Sequence, residues 1–170
     1  MTAFDASVNE IHQLEQGIFS RCVKLTSVYL RSNKIHILST GVFSNLSSLS
    51  DLYLEDNHIP SLDSGVFENL VALKFLIVSN NRISAIHDDA FLNTENLVSL
   101  TLDRNYLNEV PITVLSYLPK LAIGSLSRNL LTRIPAAAFS RLTSLFQLQL
   151  SNNEIKDTDA DALRGGLKKL

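Results

Sequence analysis

Residues 49–72 read LSDLYLEDNHIPSLDSGVFENLVA, and this stretch is one copy of a unit that recurs along the whole chain. A shift of 24 residues aligns leucine with leucine at the first position of six successive units, and Met1 occupies that position in the first unit. The seven units begin at residues 1, 25, 49, 73, 97, 121 and 145. One constant period over all 170 residues predicts a single solenoid domain, in which each unit forms one coil packed against its neighbours.

The composition is that of a folded domain without a strong overall charge. Hydrophobic residues make up 45% of the chain, which is enough for a continuous core in a domain of this length. The formal net charge of −2 disfavours nucleic acid and anionic membranes as partners. No apolar run is long enough to span a bilayer, and the first residues lack the basic and apolar regions of a signal peptide.

The opening segment of each unit alternates apolar and polar positions. Val28 and Leu30 flank Tyr29 in the second unit, and Leu52 and Leu54 flank Tyr53 in the third. A period of two residues predicts a strand with one buried face. Because the same strand recurs in every unit and runs in the same direction, the sequence predicts a parallel sheet of about seven short strands.

An asparagine occupies the ninth position of every unit. Where the chain leaves each strand, its backbone N–H and C=O groups lose their sheet partners, and a buried amide side chain can serve both kinds of group. We therefore expect an internal asparagine ladder, which consists of Asn9, Asn33, Asn57, Asn81, Asn105, Asn129 and Asn153.

A second column carries phenylalanine and predicts a stacked aromatic spine on the wide side of the coil. It consists of Phe19, Phe43, Phe67, Phe91 and Phe139, with leucine at positions 115 and 163. One core column is interrupted, because Gly124 stands where a leucine is expected. The sixth unit must therefore either bulge and turn Ile123 inward or leave a cavity beside the glycine.

The pattern LxxLxLxxNxIxxLxxxxFxxL, repeated over essentially the whole chain, resembles that of the leucine-rich repeat proteins. The 24-residue period with its phenylalanine column is similar to the extracellular branch of that family, which includes Toll-like receptors, Slit-type guidance proteins and small proteoglycans. Gly-Val-Phe at residues 41–43 and 65–67 also resembles the variable lymphocyte receptors of jawless vertebrates. The resemblance implies an α/β fold, a curved right-handed solenoid with the sheet on its concave face and irregular or short helical turns on its convex side.

The extracellular members of the family typically close both ends with cysteine-rich caps, and residues 1–170 carry no such pattern. We therefore expect either a piece of a longer ectodomain or open ends that meet another copy of the chain.

Side chains between the core positions of the strands are expected to face the concave side. In units two to four they predict a contiguous aromatic and apolar patch with a charged rim, formed by Tyr29, Tyr53, Phe75 and Ile77 with Arg31, Glu55 and Asp56. Aromatic anchors within a charged rim are typical of protein-binding hot spots. The alternative is that these side chains only support neighbouring strands by packing across the sheet. The family's use of this face implies a protein or glycan ligand.

Two groups of residues imitate metal sites. His12 and His36 occupy the same position in adjacent units and could stack, but no third ligand recurs in their column, so we expect surface histidines. Asp157, Asp159 and Asp161 resemble the start of a calcium loop that lacks its turn glycine and its closing acid, which favours a solvated turn. We therefore predict no metal site.

Nothing in the sequence points to catalysis or to a cofactor. The single cysteine, Cys22, occupies a core leucine position and is predicted to be a buried thiol. Asn45, Leu46 and Ser47 form a glycosylation sequon, a match that chance also produces. No phosphate-binding glycine loop or catalytic constellation is present, so we predict that the chain is not an enzyme.

These observations predict a non-catalytic binding module, an ectodomain fragment of a secreted or cell-surface receptor or adhesion protein that recognises a protein or glycan in immunity or cell adhesion. We expect no nucleic-acid partner and no insertion into a membrane. One alternative is a structural protein that forms dimers or filaments through open ends. Another is a cytoplasmic scaffold or inhibitor.

Overall fold

The computed structural model of the protein describes residues 1–159 together with residues 161 and 162. The strands are β1 (Ala3–Asp5), β2 (Ser27–Tyr29), β3 (Asp51–Tyr53), β4 (Ser61–Leu62), β5 (Phe75–Ile77), β6 (Ala85–Ile86), β7 (Ser99–Thr101), β8 (Ile123–Ser125), β9 (Arg133–Ile134), β10 (Gln147–Gln149) and β11 (Asp157–Thr158). The helical elements are a 3-10 helix over Asp88–Phe91 and α1 over Ile112–Ser116.

Seven of these strands form one parallel sheet in the order β1-β2-β3-β5-β7-β8-β10. Each begins 24 residues after the one before it, and the register never shifts, so that Leu52 pairs with Val28 on one side and with Leu76 on the other. Equal unit lengths bring equivalent positions side by side. The predicted solenoid with a seven-stranded parallel sheet is confirmed.

Two further sheets lie outside the main one and were not predicted. Each has two parallel strands, β4 with β6 and β9 with β11, and a single bridge joins Gln13 to Ile37 at the corresponding positions of the first two units. They arise because the segments that follow the asparagine turns also stack in register. The short helical turns expected on the convex side are present, as the 3-10 helix and α1.

The leucines at the first position of units two to seven are at most 1% exposed and lie in one core; they are Leu25, Leu49, Leu73, Leu97, Leu121 and Leu145. Burial of a leucine side chain contributes about 2 kcal/mol to stability, so this column contributes about 12 kcal/mol, one part of a core that several such columns build. Met1 shares the sequence position but not the environment, because its side chain is 74% exposed.

The amides at the ninth position make repeated hydrogen bonds between coils. Asn81 donates from Nδ2 to the carbonyl oxygens of Leu54 (2.9 Å) and Val78 (3.1 Å), and its Oδ1 accepts from the Ile59 N–H (3.0 Å). The same pattern holds for four other buried amides, Asn33, Asn57, Asn105 and Asn129.

The first and last amides differ from these five. Asn9 is exposed and donates only within its own turn, to the carbonyl oxygens of Ala6 and Ser7, because its coil has a neighbour on one side only in this structure. The expected internal position therefore does not hold for Asn9. Asn153 is half-buried and still reaches back to the Leu126 carbonyl oxygen at 2.9 Å.

The five phenylalanine rings of the predicted spine fill the wide side of the coil and are at most 2% exposed; they are Phe19, Phe43, Phe67, Phe91 and Phe139. The centroids of Phe19 and Phe43 lie 6.1 Å apart with planes 15° from parallel, and those of Phe43 and Phe67 lie 6.1 Å apart at 19°. Phe91 continues the column at 5.3 Å but tilts by 54°. Leu115 replaces the ring in the next coil and is buried, and Leu163 lies outside the described residues.

Gly124 is accommodated without a bulge. It pairs in register with Leu100 and Leu148, and Ile123 stays half-buried instead of turning into the core. The space where a side chain would be is largely closed, because methyl carbons of Leu148 and Leu121 lie 3.4 and 3.8 Å from the position of a Cβ atom. A volume of about 10 Å³ remains there.

Cys22 is a free thiol and is half-buried, so the prediction of a buried thiol is wrong. Its backbone N–H donates to the Phe19 carbonyl oxygen in the turn before the second unit. As in the case of Asn9, the first coil is covered by a neighbour on one side only. Among the described residues, no helix is long and apolar enough to cross a membrane.

Candidate functional site

The register of the sheet brings the predicted patch together on three adjacent strands. Tyr29, Tyr53 and Ile77 lie in one row across β2, β3 and β5. The two tyrosine rings stack with centroids 4.9 Å apart and planes 17° from parallel, close to the spacing of neighbouring strands. Phe75 lies in the row beside Asp51 and is 39% exposed. We call Tyr29, Tyr53, Phe75 and Ile77 the aromatic patch.

The predicted charged rim divides into two parts. Arg31 and Glu55 occupy equivalent positions two residues after Tyr29 and Tyr53, on the same side of the sheet as the patch. Asp56 lies in the turn beyond the strand, with a positive φ of 59°, and its carboxylate accepts from the Asn80 amide. Asp56 is therefore held by the neighbouring turn and not by the sheet.

Glu55 has an unusual environment for a carboxylate. The side chain is half-buried, and its Oε2 atom is buried without any hydrogen-bond partner. In the described part of the chain it forms no ion pair with Arg31. Burial raises the pKa of Glu55, and the Asp56 charge adds to this, while its own backbone amide and Arg31 oppose it.

The other carboxylates on this face have donors. They are Asp5, which accepts from the Ser7 N–H at 2.9 Å, Asp51, which accepts from Ser27 Oγ at 3.3 Å, and Asp103, which accepts from Ser125 Oγ and from the Ser127 N–H at 2.9 Å. Burial and the nearby Asp51 carboxylate also raise the pKa of Tyr53. Glu55 therefore differs from these carboxylates in having a buried oxygen without a hydrogen-bond donor among the described residues.

Hydrogen bonds from Ser125 and Ser127 to Asp103 occupy polar groups of the concave face in units five and six. Both serines are buried, at 6% and 7% exposure, so this part of the sheet offers little polar surface to a ligand. These contacts were not predicted from the sequence. The feature of the sequence that could have predicted them is an aspartate at the seventh position of unit five followed by a serine at the seventh position of unit six.

The two groups that imitate metal sites make other contacts in the structure. His12 and His36 meet edge to face, with ring centroids 6.2 Å apart at 78°. Asp159 accepts from Arg133 Nη2 (3.0 Å) and the Ala136 N–H (2.8 Å). Within residues 1–159, 161 and 162, no group of three or more His, Cys, Asp or Glu side chains is placed to hold a metal ion.

A second asparagine column on the convex side was not recognised in the sequence. Asn45, Asn69 and Asn93 are exposed and adopt left-handed backbone conformations, with φ of 67°, 63° and 60°. Asn93 Nδ2 donates to Asn69 Oδ1 at 2.8 Å. Asparagine tolerates this conformation better than most residues, so the column supports three successive turns. Its signal is an asparagine at the same position in units two to four.

Solved structures similar to this chain include two repeat solenoids. The crystal structure of a TLR13–ssRNA13 complex matches with a TM-score of 0.89 and 23% identity, over 96% of this chain and 23% of that one. The leucine-rich repeat domain of APL1B matches with a TM-score of 0.80 and 29% identity, over 92% of this chain and 45% of that one. The chain thus spans less than half the length of either. No curated protein sequence matches it.

The family model described as leucine rich repeat matches five overlapping segments, at residues 6–59, 51–107, 71–123, 95–155 and 119–170. Together these segments extend from residue 6 to residue 170. With the repeated strands, the amide hydrogen bonds between coils and the two similar solenoids, they show that the chain belongs to the leucine-rich repeat family.

Proposed function

We propose that the chain is a non-catalytic recognition module whose ligand binds the aromatic patch on the concave face. The observation that carries this proposal is a group of aromatic side chains on adjacent strands that are not covered by the chain: Tyr29 and Tyr53 are half-buried and stacked, and Phe75 is 39% exposed. Aromatic side chains lose little conformational entropy on binding and dominate the energetics of protein interfaces. A stacked pair on a sheet with a fixed register is held in place before the ligand arrives.

The repeat pattern and the similar structures support an extracellular setting. The 24-residue unit with its phenylalanine column is similar to the extracellular branch of the family, and the solved neighbours are a Toll-like receptor and the APL1B repeat domain. We propose that the chain is part of the ectodomain of a secreted or cell-surface protein, and that it acts in immunity or in cell adhesion.

The choice between ligand classes depends on the charge of the concave face. The TLR13 neighbour was solved as a complex with ssRNA13, so a solenoid of this fold can hold RNA. In this chain, Asp5, Asp51, Glu55 and Asp103 lie on the concave face with Arg31 as the one basic side chain. Phosphate groups would be repelled there, because nucleic-acid binding relies on lysine and arginine. We therefore propose a protein or glycan ligand.

The test replaces Tyr29, Tyr53 and Phe75 together with alanine. Immobilised wild-type protein and the triple variant are exposed to a display library of extracellular protein domains and to a glycan array. Ligands captured by the wild type are expected to bind the variant at least about a hundredfold more weakly, because the loss of several hot-spot residues removes most of the binding energy.

A matched control replaces three exposed apolar side chains that lie outside the sheet face, Ile37, Val71 and Tyr106, which are 48%, 48% and 54% exposed. Circular dichroism checks that both variants are folded. If the patch variant captures the same ligands as strongly as the control, the aromatic patch is not the binding site.

A second candidate function is end-to-end self-association, which one observation favours. Four of the exposed large apolar side chains lie in the first coil: Met1 (74%), Val8 (75%), Ile18 (49%) and Val23 (51%). Contact with another copy would cover them. Sedimentation velocity over a range of concentrations tests for self-association. A sedimentation coefficient that equals that of the monomer at every concentration would rule out self-association.

A further inference from the structure

The concave face is more acidic than the chain as a whole. In each unit the third, fifth and seventh residues face the concave side. Over the seven units these positions carry four carboxylates, Asp5, Asp51, Glu55 and Asp103, and one guanidinium, Arg31. Their formal net charge is therefore −3. The whole chain has a net charge of −2, so the other surfaces together are nearly neutral. A face of one sign attracts ligands of the other and raises their rate of association.

Three side-chain oxygens at the seventh position of their units are buried and have no hydrogen-bond partner among the described residues: Oγ of Ser7, Oε2 of Glu55 and Oγ of Ser79. Glu55 and Ser79 are half-buried residues in adjacent coils, so a rotation of their side chains would present both oxygens to a ligand. Equivalent positions on neighbouring strands are about 4.8 Å apart. A guanidinium carries five N–H donors in a planar fork and can reach two acceptors at such a spacing, whereas one hydroxyl or amide donor cannot.

The aromatic patch adjoins these acceptors. Tyr53 lies two residues before Glu55 on the same side of β3, and Ile77 has the same relation to Ser79 on β5. A tyrosine ring attracts a cation through its π-system, and apolar side chains can pack against the methylene stem of a long basic residue. Arginine fits this combination better than lysine does, because its guanidinium can both stack and donate several hydrogen bonds.

We propose that the concave face binds a protein partner through an exposed arginine, whose guanidinium donates to Glu55 and Ser79 while its stem lies against the aromatic patch. This inference rests on the proposed function of the same face and names the chemistry of its ligand. A bound guanidinium would give the half-buried Glu55 carboxylate a partner for its Oε2 atom, which has none among the described residues. The acidic surroundings exclude an acidic peptide as the ligand.

The test uses a random-peptide display library as its probe. Peptides selected on the immobilised wild-type protein are sequenced, and those that fail to bind the Tyr29, Tyr53 and Phe75 triple alanine variant are counted as dependent on the patch. We expect arginine to be enriched among them. Synthetic copies of these peptides are then titrated against three proteins: wild type, Glu55→Gln and Glu95→Gln.

Glu55→Gln keeps the shape of the side chain and removes its charge, and it is expected to weaken binding about tenfold or more, as for other charge-assisted hydrogen bonds. Glu95→Gln makes the same chemical change at an exposed residue outside the strands and is expected to leave binding unchanged. Replacing the arginine of the peptide with citrulline, which is neutral and of similar shape, is expected to cost as much as Glu55→Gln does.

The outcomes separate the inference from the proposed function. Patch-dependent peptides without arginine enrichment, or equal binding by wild type and Glu55→Gln, would overturn the inference and leave the binding function of the patch in place. A selection without any patch-dependent peptide would overturn both. Binding of a labelled single-stranded RNA in competition with the peptides would show that the face takes phosphate groups instead of a guanidinium.

Discussion

Replacement of Gly124 with alanine is expected to stabilise the protein, although the residue lies in the middle of a buried strand. β8 keeps its register through Gly124, and the residue does not adopt a positive φ, so an L-residue fits the backbone there. An alanine Cβ would lie 3.4 Å from Leu148 Cδ1 and 3.8 Å from methyl carbons of Leu121 and Leu145. These are ordinary van der Waals distances, and about 10 Å³ of space remains beside them.

The magnitude follows from two contributions. A buried methyl group contributes about 0.8 kcal/mol, and replacing a strand-interior glycine contributes about 0.5 kcal/mol or more through the entropy of the unfolded chain. The expected gain in the free energy of unfolding is therefore about 1 kcal/mol. A leucine, which the other units carry at this position, has the opposite effect. Its three further carbons exceed the remaining space, so overpacking is expected to cost about 1–3 kcal/mol.

Urea unfolding followed by far-ultraviolet circular dichroism measures the effect. With a denaturant slope of about 2 kcal/mol per molar urea, the midpoint for Gly124→Ala is expected to rise by about 0.5 M at unchanged slope. Gly41→Ala is the matched control, because it makes the same change where φ is +74° and the nearest atoms to an added Cβ, in Ser44, lie at an ordinary contact distance of 3.9 Å. That control is expected to lower the midpoint, since alanine disfavours the left-handed conformation.

The reasoning would be refuted if Gly124→Ala had the same midpoint as wild type or a lower one while Gly124→Leu had a higher one. That result would mean that the leucines around Gly124 stand further apart than the structure shows, and that a cavity able to hold a large side chain exists in the sixth coil.

Two further predictions concern the amides and the half-buried carboxylate. Asn81→Ala is expected to lower the free energy of unfolding by about 2 kcal/mol, because it leaves the buried Ile59 N–H without a partner; the Leu54 and Val78 carbonyl oxygens each lose one donor and keep the other, from Asn57 and Asn105. Asn9→Ala at the exposed first rung is expected to change it by less than about 0.5 kcal/mol, and urea titrations compare the two. Glu55→Gln is expected to raise stability at neutral pH by less than about 1 kcal/mol, since partial exposure screens the effect. Because burial raises the folded-state pKa of Glu55, its penalty is present above that pKa and fades as the pH falls through it. The difference between variant and wild type is therefore expected to shrink at mildly acidic pH, and a difference that grows on acidification would contradict the assigned cause.

Much of the fold could be predicted from the sequence, because a constant unit length sets the register. Leu52 must meet Val28 and Leu76 if every coil closes after 24 residues, and the seven-stranded parallel sheet follows from that alone. The same logic placed Tyr29 beside Tyr53. The period is read directly from the sequence and does not depend on how individual side chains pack.

The candidate site was predictable in its position but not in its chemistry. The sequence placed Arg31, Glu55 and Asp56 together as a rim, whereas in the structure Asp56 lies in the turn beyond the strand and is bonded to Asn80. Of these three residues, Glu55 alone has a buried side-chain atom without a hydrogen-bond partner. Whether a carboxylate finds a donor depends on rotamers and on the residues of the next coil. The repeat pattern fixes which columns are adjacent and does not fix those contacts.

The length of the unit, the direction and number of the strands, and the columns that face the core or the concave side follow from the spacing of residues along the chain. The packing around Gly124, the amides that are covered on both sides, and the difference between Glu55 and Asp51 are known only from the folded structure. The unit length, the strands and the columns depend on spacing along the chain, which can be read from the sequence. The other features depend on distances between side chains of neighbouring coils, which are set by the packing of the whole stack.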